Sequence, residues 1–261
     1  MLLVDTGREV LYQLVGAYFK HRKVRPHILE IGVHRGSNAV NLHQFIEPEI
    51  MHLVDSWDSD VICDAYTPRN PDAYWVDGLT SRSPYYRGSI QQQSTLDGNY
   101  SACKEVTKDL NGVSIFKCKS IEHLRECDQN GTHYDAIYVD GSHDYEDVLV
   151  DLMWASRVLR EGGWLMLNDC CFSNGGVKQN LGVLEACGKF IKMSGFRPIA
   201  MTRTDWTDVI LIKDDAYSVE NFLMDILCNS AVGFCQIPAN LLAGSSVRLD
   251  SKGKANFILG F

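Results

Sequence analysis

The sequence predicts a single α/β domain built on an open, mostly parallel β-sheet. Three observations predict it. Short apolar segments alternate along the chain with amphipathic helical segments, three of the apolar segments end on an acidic residue, and the last two are joined by only seven residues. Alternation of strand and helix is typical of a parallel sheet covered by helices on both faces.

The individual elements follow from hydrophobic periodicity. Strands are predicted at residues 27–31, 51–55, 113–117, 134–140, 164–169, 197–201 and 209–213. Helices are predicted over residues 7–20, from Ser37 onward, over 145–159 and through 181–190. Glu161-Gly162-Gly163 is expected to end the third of these helices. The link between the last two strands is too short for a helical crossover, so we predict that they are antiparallel neighbours.

Length and composition limit the classes of protein. At 261 residues the chain can bury one substantial core. The formal net charge of -8 is spread along the sequence, so nucleic acid, which needs a positive field, is not an expected partner. The apolar start is interrupted at Asp5, and no stretch of about 18 apolar residues follows. Neither a secretory signal nor a membrane span is therefore predicted.

The nine cysteines do not indicate disulfides or a zinc site. Their number is odd, and the sequence contains no Cys-x-x-Cys pair. Reduced thiols are the expected state, which favours a cytoplasmic protein.

A glycine-containing turn follows the first predicted strand. Gly32 and Gly36 flank a turn with little side chain, so a ligand can approach backbone N–H groups at the start of the next helix. Asp55 ends the second strand, where an acid accepts hydrogen bonds from ribose hydroxyls. Since ligands of open α/β sheets bind beyond the carboxyl ends of the strands, these residues predict an adenosine site.

The residues around the turn distinguish between nucleosides. A dinucleotide fingerprint requires glycine at position 34 and glycine or alanine at position 37, whereas this chain has His34 and Ser37. A sulfonium cofactor without phosphates tolerates both side chains, and its positive centre suits the carboxylates of Glu30 and Asp140. A nicotinamide- or flavin-dependent oxidoreductase on a related sheet is the alternative, and His34 and the terminal hairpin weigh against it.

Four segments resemble the class I S-adenosylmethionine-dependent methyltransferases, in the branch that includes macrocin O-methyltransferase and a cephalosporin-biosynthesis protein of similar fold. They are Glu30-Ile31-Gly32-Val33-His34-Arg35-Gly36-Ser37, Val54-Asp55-Ser56-Trp57, Asp135-Ala136-Ile137-Tyr138-Val139-Asp140-Gly141-Ser142-His143-Asp144-Tyr145, and Leu159-Arg160-Glu161-Gly162-Gly163 through Asn168-Asp169. The resemblance covers residues 26–213 apart from an insertion at 57–103. It implies a Rossmann-like three-layer sandwich, with a seven-stranded, mostly parallel sheet whose last strand is antiparallel.

The resemblance also implies roles for residues. Cofactor contacts are expected from Glu30, Gly32, Gly36, Ser37, Asp55, Ser56, Trp57, Ser120 and Asp140. Ser120 corresponds to the position that borders adenine, although it equally suits a simple strand exit. In this branch Asp140 binds a divalent metal together with acids at the end of the fifth strand. Asp169 and a magnesium ion are therefore implied, with Cys170 as an unfavourable neighbour for a hard cation.

Catalysis is expected from His143 and Asp140. An imidazole that titrates near neutrality can remove the proton of an acceptor hydroxyl, and a hydrogen-bonded loop histidine is the alternative for His143. The predicted function is O-methylation of a small metabolite such as a sugar, phenol or natural product. N-methylation of a small amine is the alternative, since an amine needs less help from a base.

Two segments lie outside the core pattern. Residues 57–103, which are polar and rich in tyrosine and tryptophan, are predicted to form a lid on the substrate; a satellite core packed by the tyrosines is the alternative. The methyltransferase domain then spans residues 1–213. Residues 214–261 form a C-terminal extension, expected to contribute to the lid or to a dimerisation element of a homo-oligomer.

Overall fold

The structure, a computed structural model, describes residues 1–66, 83–170, 172–173, 182–203, 207–249 and 255–259. The strands are β1 Leu2–Val4, β2 His27–Ile31, β3 Ile50–Asp55, β4 Val113–Lys117, β5 Tyr134–Val139, β6 Leu159–Leu167, β7 Phe172–Ser173, β8 Arg197–Thr202, β9 Val209–Ile212, β10 Phe234–Gln236, β11 Ser245–Leu249 and β12 Ala255–Leu259. The α-helices are α1 Arg8–His21, α2 Ser37–Ile46, α3 Ser59–Tyr66, α4 Ser83–Tyr86, α5 Gln93–Thr107, α6 Ser120–Asn130, α7 Tyr145–Val158, α8 Val183–Ser194 and α9 Ala216–Cys228. A 3-10 helix spans Ala239–Gly244.

The main sheet has the order β10-β1-β8-β9-β6-β5-β2-β3-β4. The five strands from β6 to β4 pair in parallel, and β9 runs antiparallel to both of its neighbours, β6 and β8. The α/β fold with an antiparallel last core strand is confirmed. A separate small sheet joins β12, β11 and β7.

The main sheet contains nine strands rather than the seven predicted. The additional strands are β1, which pairs in parallel with β8, and β10, which pairs antiparallel with β1. Each of them is only three residues long, and their pairing joins segments far apart in the sequence. Local periodicity therefore carries no signal for them.

The core lies on both faces of the sheet. One face packs Leu11, Leu42 and Leu223 of α1, α2 and α9 against alternate strand residues, and the other packs helices α6, α7 and α8. Within β2, Ile28 belongs to the first cluster and Leu29 to the second. Burial on both faces explains why the strands are nearly continuous apolar runs.

The boundary between α7 and β6 differs from the one predicted from the sequence. Helix α7 ends at Val158, and the residues 161–163, predicted to terminate it, lie within β6 instead. The pairing of β5 with β6 shifts register between Tyr134 and Ala136, and Gly162 has a φ of 72°. Glycines at such an irregularity let the chain enter the strand directly from the helix.

The insertion is partly helical. Its described residues form α3, α4 and the first part of α5, whereas Pro68, Pro71, Tyr74 and Trp75 lie outside the described residues. In the C-terminal extension, α9 packs on α1 and β8, and β10 adds to the main sheet. In the part of the chain that the structure describes, no helix combines the length and apolar character that a bilayer span requires.

A cluster of polar side chains is buried between β3, β5 and α6. The hydroxyl of Tyr134 lies 2.7 Å from Nδ1 of His52 and 3.0 Å from Nε2 of His123. The Sγ atom of Cys127 lies 3.3 Å from the same hydroxyl. Burial lowers the pKa of His52, and it lowers the pKa of His123 from 6.5 to about 4. The cluster is therefore electrically neutral near pH 7.

This cluster predicts a loss of stability in mild acid. The unfolded chain protonates His123 near pH 6.5 while the folded protein does so only near pH 4, so the free energy of unfolding falls as pH decreases through that window. Replacing His123→Phe should flatten this dependence by up to about one proton, as measured by denaturant titrations at several pH values. The exposed His21→Gln is the control. A His123→Phe protein with the wild-type pH dependence would contradict the assignment.

Candidate active site

A cavity of about 620 Å³ opens at the carboxyl ends of β2 to β6. This volume is within the range of about 300–1,000 Å³ that is usual for small-molecule sites. Its wall includes eight of the residues predicted from the sequence, namely Gly32, Asp55, Ser56, Trp57, Ser120, Asp140, His143 and Asp169. The strand ends thus bring these residues together, as the topology of open α/β sheets requires.

The glycine turn after β2 is pressed against the turn after β5. A Cβ atom at residue 32 would lie 1.9 Å from the carbonyl oxygen of Asp140, so only glycine fits there. Gly32 has a φ of 82° and donates its N–H to Val54 at 2.9 Å. Gly36 has the same φ and precedes α2 as its N-cap. Both glycines are thus required by backbone conformation.

Asp55 holds the glycine turn through its carboxylate. Oδ2 accepts the backbone N–H groups of Val33 at 3.0 Å and His34 at 2.8 Å, and Oδ1 accepts that of Trp57 at 3.1 Å. Burial raises the pKa of Asp55, and these backbone donors oppose that rise. The acid predicted to bind ribose therefore also holds the glycine turn in place.

Aromatic rings close the cavity on the side of the insertion. The Trp57 ring is buried and donates Nε1–H to the carbonyl oxygen of His34 at 2.6 Å. The His34 ring stacks on that of Tyr85 with a centroid distance of 4.3 Å and an angle of 17°. Burial lowers the pKa of His34 to about 4, so its ring is neutral near pH 7. Tyr86 lies beside this pair.

Three predicted cofactor residues do not border the cavity. Gly36 and Ser37 lie at the start of α2, behind the turn. Glu30 is fully buried and lies on the face of β2 covered by α1 and α2, where Oε1 accepts a hydrogen bond from Asn38 at 3.0 Å. Burial raises its pKa to about 8. The alternation of side chains along a strand accounts for this placement. Proximity to the glycine turn in the sequence does not reveal it.

His143 lies between two acids at one end of the cavity, which we call the acceptor end. Its Nε2 atom is 3.1 Å from Oδ2 of Asp169 and 3.7 Å from Oδ1 of Asp140. Its Nδ1 atom is buried and has no hydrogen-bond partner among the described residues. Burial and the neighbouring Asp169 raise the pKa of Asp140 well above its usual range.

The sequence did not predict the residues that surround Asp140. Arg8 of α1 lines the cavity and donates Nη1–H to the hydroxyl of Tyr138 at 3.2 Å. That hydroxyl donates to Oδ2 of Asp208 at 3.0 Å, and it lies 3.3 Å from Oδ1 of Asn168. Asn168 in turn donates Nδ2–H to Oδ1 of Asp140 at 2.8 Å. A chain of polar contacts therefore joins α1 to the end of β5.

Asp151 is a second residue that the sequence reasoning missed. It lies on α7 and lines the cavity beside Ser120, whose hydroxyl donates to Oδ1 of Asp151 at 2.6 Å. Burial raises the pKa of Asp151 to about 7. A signal was available, because this acid interrupts an apolar helix face formed by Val148, Leu152 and Ala155. An acid on a buried stripe indicates a polar function.

The residues at the acceptor end do not fit the predicted magnesium ion. Asn168 turns an N–H donor, rather than its oxygen, toward Asp140, and an imidazole nitrogen lies between the two carboxylates. Within the described ranges, no group of three or more His, Cys, Asp or Glu side chains is arranged to hold a metal ion. Cys170 is fully buried, and its N–H donates to Thr207 at 2.7 Å.

Comparisons with known proteins identify the family of the chain. A family model described as a methyltransferase domain matches residues 29–170. No curated protein matches the chain significantly.

Two solved structures share the fold. One is the O-methyltransferase from Bacillus cereus, solved in complex with SAH, which is 11% identical and has a TM-score of 0.51 over 80% of this chain and 83% of that chain. The other is the O-methyltransferase TomG from Streptomyces achromogenes, involved in tomaymycin synthesis and solved in complex with SAM, which is 14% identical and has a TM-score of 0.50 over 80% of this chain and 82% of that chain. The family model covers more than half of the chain and includes the glycine turn, Asp55, Asp140 and Asp169. The chain therefore belongs to the methyltransferase domain family, and it is an S-adenosylmethionine-dependent methyltransferase.

Proposed function

We propose that this enzyme methylates a hydroxyl group of a small molecule, with His143 as the general base. The observation that carries the proposal is the orientation of the His143 ring. Its Nε2 atom lies 3.1 Å from Oδ2 of Asp169, and both ring nitrogens are buried without a hydrogen-bond partner among the described residues, so Nδ1 is available to accept a proton. A carboxylate that orients one ring nitrogen leaves the other able to accept a proton.

The cavity wall divides into a cofactor part and an acceptor part. For S-adenosylmethionine we propose contacts with the glycine turn, with Asp55, Ser56 and Trp57, and with Ser120 and Asp151 at the adenine. When bound, this cofactor supplies an electrophilic methyl group on a sulfonium sulfur and leaves as S-adenosylhomocysteine. The carboxylates in the cavity wall interact favourably with the positive charges of this cofactor. Gly32 allows the ligand to approach the backbone closely.

At the acceptor end, His143 removes the hydroxyl proton as the oxygen attacks the methyl carbon. Asp169 stabilises the imidazolium that forms and keeps Nδ1 directed toward the acceptor. Holding the two reactants in line contributes a large part of the acceleration, because a bimolecular step becomes effectively unimolecular. The presence of a held base favours a hydroxyl over an amine acceptor, since an amine needs less help with its proton.

The acceptor we propose is a small hydroxylated compound with an apolar or ring surface. His34, Tyr85 and Tyr86 form an aromatic wall on the insertion side of the cavity, and such walls stack on rings. We therefore propose that the insertion at residues 57–103 covers the acceptor. The sequence resemblance to macrocin O-methyltransferase and the likeness to an O-methyltransferase involved in tomaymycin synthesis support a natural product or sugar as acceptor.

Cofactor binding is the first test. Calorimetry should detect binding of S-adenosylhomocysteine and no binding of NAD. Replacing Asp55→Asn puts an amide N–H group among three backbone donors and should weaken binding by about ten-fold or more, because each buried unpaired donor costs about 1–3 kcal/mol. The exposed Asp109→Asn is the matched control and should bind normally. An Asp55→Asn protein with unchanged affinity would argue against this role.

Replacing His143→Gln tests the base. With methyl-labelled S-adenosylmethionine and a panel of phenols, sugars and amines, the wild type should methylate hydroxyl acceptors. The variant should lose about 100-fold or more in kcat, the usual contribution of a general base, while its affinity for S-adenosylhomocysteine stays the same. Transfer to amines alone, or full hydroxyl methylation by the variant, would refute the proposed chemistry.

Asp151 is tested by changing the cofactor instead of the acceptor. S-inosylhomocysteine carries an oxygen in place of the adenine 6-amino group, so at that position it offers Asp151 an acceptor instead of a donor and should bind about ten-fold more weakly than S-adenosylhomocysteine. In Asp151→Asn the ratio of the affinity for S-adenosylhomocysteine to that for S-inosylhomocysteine should shrink or reverse, because the amide can donate to that oxygen. Asp147→Asn, one helical turn away, should keep the wild-type ratio. Equal affinities of the wild type for both ligands would rule out this contact.

A further inference from the structure

The acceptor end contains a positive charge contributed by the first helix. The Arg8 side chain lines the cavity with 26% of its surface exposed, and its Nε atom lies 3.6 Å from Oδ2 of Asp208, which is buried. Burial opposes the charge of the guanidinium, but Tyr138, Asp208 and Asp140 favour it, and together they raise the pKa of Arg8. Arg8 is therefore a permanent cation at this place.

Asp208 and Asp140 interact electrostatically with that cation, and Asp169 interacts with both of these acids. Asp140 and Asp169 lie on either side of His143, and Asp208 lies behind Tyr138. Burial and mutual repulsion raise the pKa of Asp140, and burial raises that of Asp208 to about 7, while Arg8 opposes both shifts. Buried carboxylates that lie close together require a compensating positive charge or protonation.

The same residues also fix the position of Asp140. Arg8 donates to the Tyr138 hydroxyl, which contacts Asp208 and Asn168, and Asn168 donates to Asp140. The orientation of the Asn168 amide follows from this chain of contacts, since its oxygen faces the Tyr138 hydroxyl and its N–H faces the carboxylate. A divalent cation bound by both Asp140 and Asn168 would require the opposite orientation, with the amide oxygen toward the cation.

We infer that Arg8 takes the electrostatic place of a divalent cation at the acceptor end and, through Tyr138 and Asn168, positions Asp140 beside His143. The enzyme then works without a metal ion. Arg8 and Asp208 both lie outside residues 29–170, so family membership assigns a role to neither. The inference relies on the proposed function only in assigning this end of the cavity to the acceptor. Its electrostatic part is testable without an acceptor.

The experiment uses Mn²⁺ as the probe and the enzyme saturated with S-adenosylhomocysteine. Free Mn²⁺ gives an electron paramagnetic resonance signal that disappears on binding, so a titration measures its affinity directly. Wild-type enzyme should bind no stoichiometric Mn²⁺ tighter than about 1 mM. Tight binding by the wild type that is abolished by Asp169→Asn would overturn the inference.

Substitution of Arg8 should create an affinity for Mn²⁺ that the wild type lacks. Arg8→Gln leaves three carboxylates without their cation, and Mn²⁺ should bind at least about ten-fold more tightly than to the wild type. The gain should vanish in Arg8→Gln/Asp169→Asn. Arg8→Lys, which keeps the charge, should behave like the wild type. Arg22→Gln removes the same charge from the exposed end of α1 and should produce no gain.

Each outcome of these titrations either supports or contradicts the inference about Arg8. A gain with Arg8→Gln that depends on Asp169 and is absent in Arg8→Lys supports the inference, whereas no gain in a folded Arg8→Gln protein overturns it. If Arg8→Gln does not fold, the wild-type and Arg8→Lys titrations decide, because Asp169-dependent Mn²⁺ binding in either contradicts the role of Arg8 and its absence in both supports it. Failure of the enzyme to bind S-adenosylhomocysteine would count against the proposed function and leave the Mn²⁺ result intact.

Discussion

The close approach of two strand-end turns underlies the whole site. Residue 32 passes so near the carbonyl oxygen of Asp140 that no side chain fits, and the two turns are further joined by the hydrogen bond from the Asp140 N–H to Ile31 at 2.8 Å. Asp55 then binds the N–H groups of the two residues after the glycine. The regions proposed for the cofactor and the acceptor are thereby joined by backbone contacts, which are stiffer than side chains.

The two halves of the cavity differ in how they are built. The cofactor half uses neighbouring parallel strands, each followed by a helix, and its polar groups lie mainly on strand-end turns. The acceptor half uses side chains from α1, β5, the end of β6 and the residue before β9. Four distant segments must meet there, so its geometry depends on the complete sheet. Differences in acceptor among enzymes of this fold are expected to arise in that half.

The same division explains what could be predicted from the sequence. The parallel strands, the glycine turn and the strand-end acids are local patterns, and the residues Gly32, Asp55 and Asp140 were found from them. Arg8 is an ordinary charged residue at a helix start, and Asp208 is an ordinary acid before a strand. Only the non-local pairing of β1, β8 and β9 brings them together. Glu30 stands in the same segment as the glycine turn, but its side chain contacts Asn38 of α2 and does not border the cavity.

The pairing of Arg8 with Asp208 also affects how the chain matures during synthesis. Arg8 is made first and its acidic partner among the last residues of the core, so the guanidinium lacks this partner while almost the whole sheet is synthesised. The contacts of Asp208 with Arg8 and Tyr138 can therefore form only once the last antiparallel strand has been made.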